Sequence, residues 1–199
     1  MGEAGTKGVA RDERRRQLVH EAVEEFGRKG YAGASLTGIA RSAGVSKAMI
    51  YHLFESKEGL SRACLEEVGP PLVTSIAQAQ TADDPGQRAQ DTFTAIFTAM
   101  ADNRHAWAVI KDPTLPEGSG AAETAAGFRE QLDVMGTVGT RDVLSAAGVD
   151  DPRDHELLDR LWEAIVAAAV QWWQEQEDLS AADMAARCTR LLVAVTARR

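Results

Sequence analysis

The sequence predicts an all-α fold, with three helices in an amino-terminal head and six in a carboxy-terminal body. Three observations carry that prediction. Apolar residues recur at three- and four-residue spacing in stretch after stretch, and no alternation of apolar and polar residues marks a strand. Two short apolar stretches near the amino terminus meet at a glycine turn, Ala43-Gly44-Val45-Ser46, which is the pattern of helix, turn, helix. Charge is also divided unevenly. Residues 1–62 hold 11 Lys and Arg against 8 Asp and Glu, while residues 63–199 hold 11 against 22, so a basic head precedes an acidic body. That asymmetry suits a chain of which one end meets phosphates.

Composition narrows the classes. At 199 residues the chain can bury one substantial core, or carry a small domain on a larger one. Cys64 and Cys188 make neither a disulfide framework nor a metal set, and read as buried thiols of a reducing compartment. No apolar run approaches the roughly 20 residues that span a bilayer, and the first residues lack the apolar core of a signal peptide. The expectation is a cytoplasmic protein without membrane contact. No H-E-x-x-H, C-x-x-C or G-x-S-x-G spacing occurs, and His20, His105 and His155 stand apart, so neither catalysis nor a cofactor is indicated.

Taken in order, residues 1–10 are rich in Gly and Ala and are expected to be a disordered tail. Arg11 to Lys29 forms the first helix, burying Leu18, Ala22, Val23 and Phe26, with Arg14, Arg15 and Arg16 available to phosphate or to solvent. Ser35 caps a second helix carrying Leu36, Ile39 and Ala40, and no acid three residues on completes a capping box. Gly44 supplies a positive φ, and Ser46 caps a third helix with Met49, Ile50, Leu53 and Phe54. Lys57 opens a longer helix that Pro70-Pro71 should break or kink. Asp84-Pro85-Gly86 starts the helix of Phe93, Ile96, Phe97 and Met100. Asp102 or Asn103 caps a short helix with Trp107, Val109 and Ile110. Residues 111–120 form the plainest loop. A helix from Ala121 to about Ala147 is weakened by Gly127, Gly136 and Gly139, which permit either close packing or bending. Arg153 to Glu177 and the stretch striped by Met184, Cys188, Leu191, Leu192 and Val195 are the last two helices. Both are apolar over more than one face and so need partners on several sides.

Residue identities then add a resemblance. Ile39-Ala40, Ala43-Gly44-Val45-Ser46, Tyr51-His52-Leu53-Phe54 and Ser56-Lys57-Glu58-Gly59-Leu60, led by Phe26 and Gly30-Tyr31, fall in one register. In that register they resemble the DNA-binding segment of the TetR family of one-component transcriptional regulators. The resemblance covers about the first 60 to 65 residues, and beyond them rests on helix number and chain length. It implies a helix-turn-helix DNA-binding domain over 11–56, and an effector-binding and dimerisation domain over 57–199. It also implies a homodimer through the last two helices, bound to a pseudopalindromic double-stranded operator and released by a small-molecule effector.

By motif position and side-chain chemistry, Ser35, Ser46, Tyr51, His52 and Lys57 are expected at phosphates. Lys47 is expected to read a base, because its ammonium can donate to guanine O6 or N7. Thr37 and Met49 are secondary readers. Ala48 stands where the family commonly has glycine, and its methyl can meet thymine; Gly38 replaces the family's usual polar residue. His52 can equally be a solvated histidine, and Tyr51 an apolar brace. For the effector, the family's pocket maps onto Phe93, Phe97, Met100, Trp107, Phe128, Leu132, Met135, Trp162 and Trp173. As a group these suit a mostly apolar ligand, though each one alone reads as core. The competing function is a helical protein-interaction module with a degenerate head, a reading that rests on Ala48 and the acidic body.

Overall fold

The computed structural model describes the backbone over residues 4–196 and side-chain surroundings over 11–195. Among the described residues the fold is entirely helical: α1 Ala4–Gly33, α2 Leu36–Ser42, α3 Lys47–Phe54, α4 Lys57–Ala79, α5 Pro85–Ala99, α6 Ala106–Ile110, α7 Gly120–Ala146, α8 Pro152–Gln174 and α9 Ala181–Thr196. No helix among them is long and apolar enough to cross a membrane.

Three expectations need correction. In place of the tail expected over 1–10, helix extends back from Arg11 to Ala4 despite Gly5 and Gly8; residues 1–3 lie outside the described residues. The helix expected to break at Pro70-Pro71 instead runs through both prolines to Ala79. Those rings remove the amides that would reach the carbonyls of Glu66 and Glu67, both exposed residues. Buried Leu65 and Val68 before the prolines, and Leu72 and Ile76 after them, anchor the two parts. Finally, α6 starts later than expected. His105, not Asp102 or Asn103, takes its N-cap position, with no side-chain capping bond.

The chain divides into two compact units, along lines other than the expected boundary after residue 56. The first runs up to Gly69 and takes in His105–Gly127; the second is Pro70–Arg104 with the chain from Phe128 onward. In the first unit, Leu18, Val23, Phe26, Ile39, Ile50, Leu60 and Ile110 form the core. There α6 lies so close to α1 that a Cβ at Gly27 would fall on the Cβ of His105. In the second unit, α9 packs along α5, and Phe97, Met100, Val166, Val170, Trp173 and Met184 are buried. Gly136 lets the indole of Trp162 approach α7, where a Cβ would meet Cδ1 at 3.4 Å. Cys64 and Cys188 are both free and buried. Burial pushes both thiols above their ordinary pKa, as expected of unreactive core cysteines.

Candidate nucleic-acid interface

The two short helices of the head are set by serine caps. Ser35 adopts an extended conformation, and its Oγ accepts from the Gly38 amide at 3.2 Å. Ser46 does the same at the start of α3, accepting from the Met49 amide at 3.2 Å. Each hydroxyl keeps its own proton free to donate, which is the chemistry a phosphate oxygen requires. The acid missing from the local capping box comes from α1 instead. Glu25 Oε1 accepts from the Ser35 amide at 3.1 Å and from Lys29 Nζ at 2.9 Å. Burial raises the Glu25 pKa, but the bonds from Lys29 and Ser35 outweigh it and hold the carboxyl below its usual range. Gly38 makes this possible, since a Cβ there would lie 3.3 Å from Glu25 Oε1.

The turn between α2 and α3 is a Schellman ending. Gly44 takes φ 64°, the Val45 amide donates to Ala40 O at 2.9 Å, and the Gly44 amide to Arg41 O at 3.2 Å. Beyond it, α3 divides by face. Ile50 and Phe54 are buried, while Lys47, Ala48, Met49, Tyr51 and His52 are exposed. The Lys47 ammonium lies 5.8 Å from the centroid of the Tyr51 ring. Ser35, Thr37 and Ser46 are exposed as well, so eight of the nine residues expected at DNA stand open to solvent.

Lys57 is the exception. It is half-buried, its Nζ donates to Ala34 O at 2.7 Å and lies 4.7 Å over the Tyr31 ring. Burial lowers its pKa, against the pull of Asp112 and Glu25. The lysine thus ties the start of α4 to the chain that enters α2. The arginine run within α1 is partly engaged too: Arg15 lies 5.3 Å over the Phe54 ring, and Arg16 pairs with Glu13. Sequence reasoning missed Glu25, which lies ten residues from its partner and has no local signature. It also missed Arg41, exposed in the last turn of α2.

The residues expected at an effector are brought together only in part. Phe97 meets Trp173 edge to face at 5.3 Å, and Phe93 meets Trp162 likewise at 5.1 Å. Trp173 also carries the Arg104 guanidinium 4.3 Å over its ring and donates from Nε1 to Leu179 O at 2.9 Å. Phe93, Phe97, Met100, Leu132 and Trp173 are buried, and Phe128, Met135 and Trp162 half-buried. Trp107 is assigned to the first compact unit and the other eight to the second. An open cleft of about 300 Å³ in the second unit is lined by Thr137, Arg141, Asp150, Pro152, His155 and Asp159, none of them an expected ligand residue. Among the described residues no group of three or more His, Cys, Asp or Glu is placed to hold a metal ion.

A cap-defined pair of short helices joined by a tight glycine turn, the second presenting Lys47, Ala48, Met49, Tyr51 and His52 to solvent, has the form of a helix-turn-helix. Residues 18–64 match the family described as bacterial regulatory proteins, tetR family. That segment of the chain carries the family's amino-terminal helix-turn-helix region. Over 69 residues it is 47% identical to the HTH-type transcriptional regulatory protein RaaS of Mycobacterium tuberculosis, an alignment covering 35% of this chain and 32% of that one. Over 103 residues it is 37% identical to the HTH-type transcriptional activator FasR of Mycolicibacterium smegmatis, covering 51% and 47%. The chain thus matches less than half the length of either relative. Among solved structures, the ketosteroid transcriptional regulator KstR2 of Mycobacterium tuberculosis superposes with a TM-score of 0.73 over 94% of this chain and 96% of that one. At 20% identity, that likeness is one of fold.

Proposed function

We propose that the chain is a dimeric transcriptional repressor that binds a pseudopalindromic operator and is released by a small, mostly apolar effector. The observation that carries the DNA half is the outward face of α3, where Lys47, Ala48, Met49, Tyr51 and His52 are exposed over a buried Ile50 and Phe54. Such a helix lies along a major groove with its amino-terminal side chains at base edges. Lys47 reads a base, Thr37, Ala48 and Met49 supply lesser contacts, and Ser35, Ser46, Tyr51 and His52 hold phosphates. Lys57, turned inward, acts by holding the head in shape.

Dimerisation is supported by exposed apolar residues on the last two helices. Leu157, Leu161, Ile165 and Trp172 on α8 and Leu191, Val193 and Val195 on α9 are all exposed, Ile165 by 53% and Val195 by 79%. Two such faces buried against each other give a two-fold dimer, which spaces two recognition helices one DNA turn apart. The effector half is supported by the aromatic set of the second unit, whose paired rings would have to open for a ligand. Operation on DNA places the protein in the cytoplasm.

The test is a gel-shift assay at low salt with the DNA flanking the protein's own gene and with duplexes selected from a random pool. Retardation of a two-fold symmetric duplex at concentrations that leave random DNA free is the expected result. Equal, weak retardation of every duplex would point to an interaction module with a degenerate head.

A further inference from the structure

We propose that Asp112 and Thr114, in the loop between α6 and α7, are positioning residues for DNA binding: they fix the turn at Gly30 and thereby aim α2 and α3. The inference rests on the operator-binding reading above and adds to it two residues more than 50 positions beyond the helix-turn-helix.

The helical geometry of α1 breaks at Gly30, which takes φ 67° and ψ 168°. A turn of that kind strips the next amides of their partners within the helix. Those amides are supplied from elsewhere in the same compact unit. The Tyr31 amide donates to Asp112 Oδ2 at 2.5 Å, and the Ala32 amide to Thr114 Oγ1 at 3.0 Å. The two acceptors are themselves locked together. Thr114 donates to Asp112 Oδ1 from its amide at 2.8 Å and from its hydroxyl at 2.7 Å, an Asx-turn around Pro113. Asp112 is only 6% exposed, so its carboxylate depends on these donors in place of water. The fit leaves no slack: a Cβ at Gly30 would lie 2.9 Å from Thr114 Oγ1.

Downstream of this grip the direction of α2 is shared with Glu25, which accepts from the Ser35 amide at 3.1 Å. Ala32 and Gly33 are exposed, and the next fixed points are Ala34 O, which accepts from Lys57, and Ser35, the cap of α2. Tyr31 joins the two ends of the arrangement, its ring lying parallel to Phe26 at 6.0 Å and beneath the Lys57 ammonium at 4.7 Å. A second acid-to-amide bond fastens the far end of the loop, where Glu58 Oε1 accepts from the Ala121 amide at 2.8 Å. Segment 105–121 therefore acts on the head at a point five residues before α2, and any shift of α6 reaches the recognition helix through Gly30.

The experiment compares full-length wild type with Thr114→Val, which keeps the side chain's shape and removes the acceptor, and Thr114→Ser, which restores it. Two readouts are taken: affinity for a selected operator against random duplex, and hydrogen exchange resolved along the chain. Thr114→Val is expected to weaken operator binding on the order of tenfold, the scale of one lost hydrogen bond with its exposed partner. Random-duplex affinity and melting temperature should stay close to wild type, and Thr114→Ser should recover most of the loss. Exchange should quicken over residues 31–42 and stay unchanged over 15–26. Unchanged operator affinity in Thr114→Val, or a loss that Thr114→Ser does not recover, would overturn the proposal. If wild type selects no duplex, the regulator reading has failed, and exchange then decides the latch: faster exchange confined to Tyr31 and Ala32, or spread over the whole unit, counts against it.

Discussion

Glu25 shows what a single side chain does for the head. It accepts from the amide of the residue that caps α2 and from Lys29, and its pKa is lowered despite burial. A carboxyl with a lowered folded pKa contributes stability above its unfolded value, and that contribution is lost as pH falls through the folded value. Glu25→Gln should therefore be less stable than wild type at neutral pH, with the gap closing below about pH 4.3. Urea unfolding at a series of pH values checks this, and a gap of constant size would assign the effect to packing. The caps themselves were legible, since Ser35 and Ser46 announce short helices by local spacing. The role of Glu25 was not, because it depends on how α1 is placed against α2. The surroundings of Lys57 were illegible for the same reason. Its motif position suggests phosphate, yet Tyr31 and Ala34 hold it within the head.

At the scale of elements, the junction of α3 and α4 is the tightest point of the head. Glu55 takes a φ of 67°, unusual for a residue with a side chain, and the Ser56 amide donates to Phe54 O at 2.7 Å. The first turn of α4 then crosses that carbonyl so closely that a Cβ at Gly59 would fall on Phe54 O. Since backbone cannot swing aside as a side chain can, Gly59→Ala should destabilise the protein by roughly 1–3 kcal/mol. It should also disturb α3, which is visible as a lower urea midpoint with weakened DNA binding. An unchanged midpoint would mean that the junction is looser than drawn. Most helices were legible from periodicity and breakers. The exceptions were Pro70-Pro71, where flanking burial outweighs two missing hydrogen bonds, and the cap of α6, where packing of His105 against Gly27 decides the start.

For the whole molecule, the division into units was the least legible feature. Sequence continuity suggests a head that ends near residue 56, whereas Asp112, Thr114 and Glu58 bind segment 105–127 into the first unit by contacts that no local pattern predicts. The apolar stripe on α8 and α9 was legible, because both helices carry more apolar residues than one face can hold. Its expected role gives a direct prediction. Ile165→Arg places a charge at the centre of the stripe, so sedimentation should show a monomer with an intact helical spectrum and greatly reduced operator affinity. A dimer that persists in this variant would move the interface elsewhere. The central claim, that α3 reads sequence, is tested most directly at Lys47. Affinities of wild type and Lys47→Ala are measured for the selected operator and for every single-base-pair change in one half-site. The account predicts that wild type discriminates by about 1–3 kcal/mol at one position, and that Lys47→Ala loses discrimination there and nowhere else. An equal loss on operator, altered operators and random duplex would contradict it.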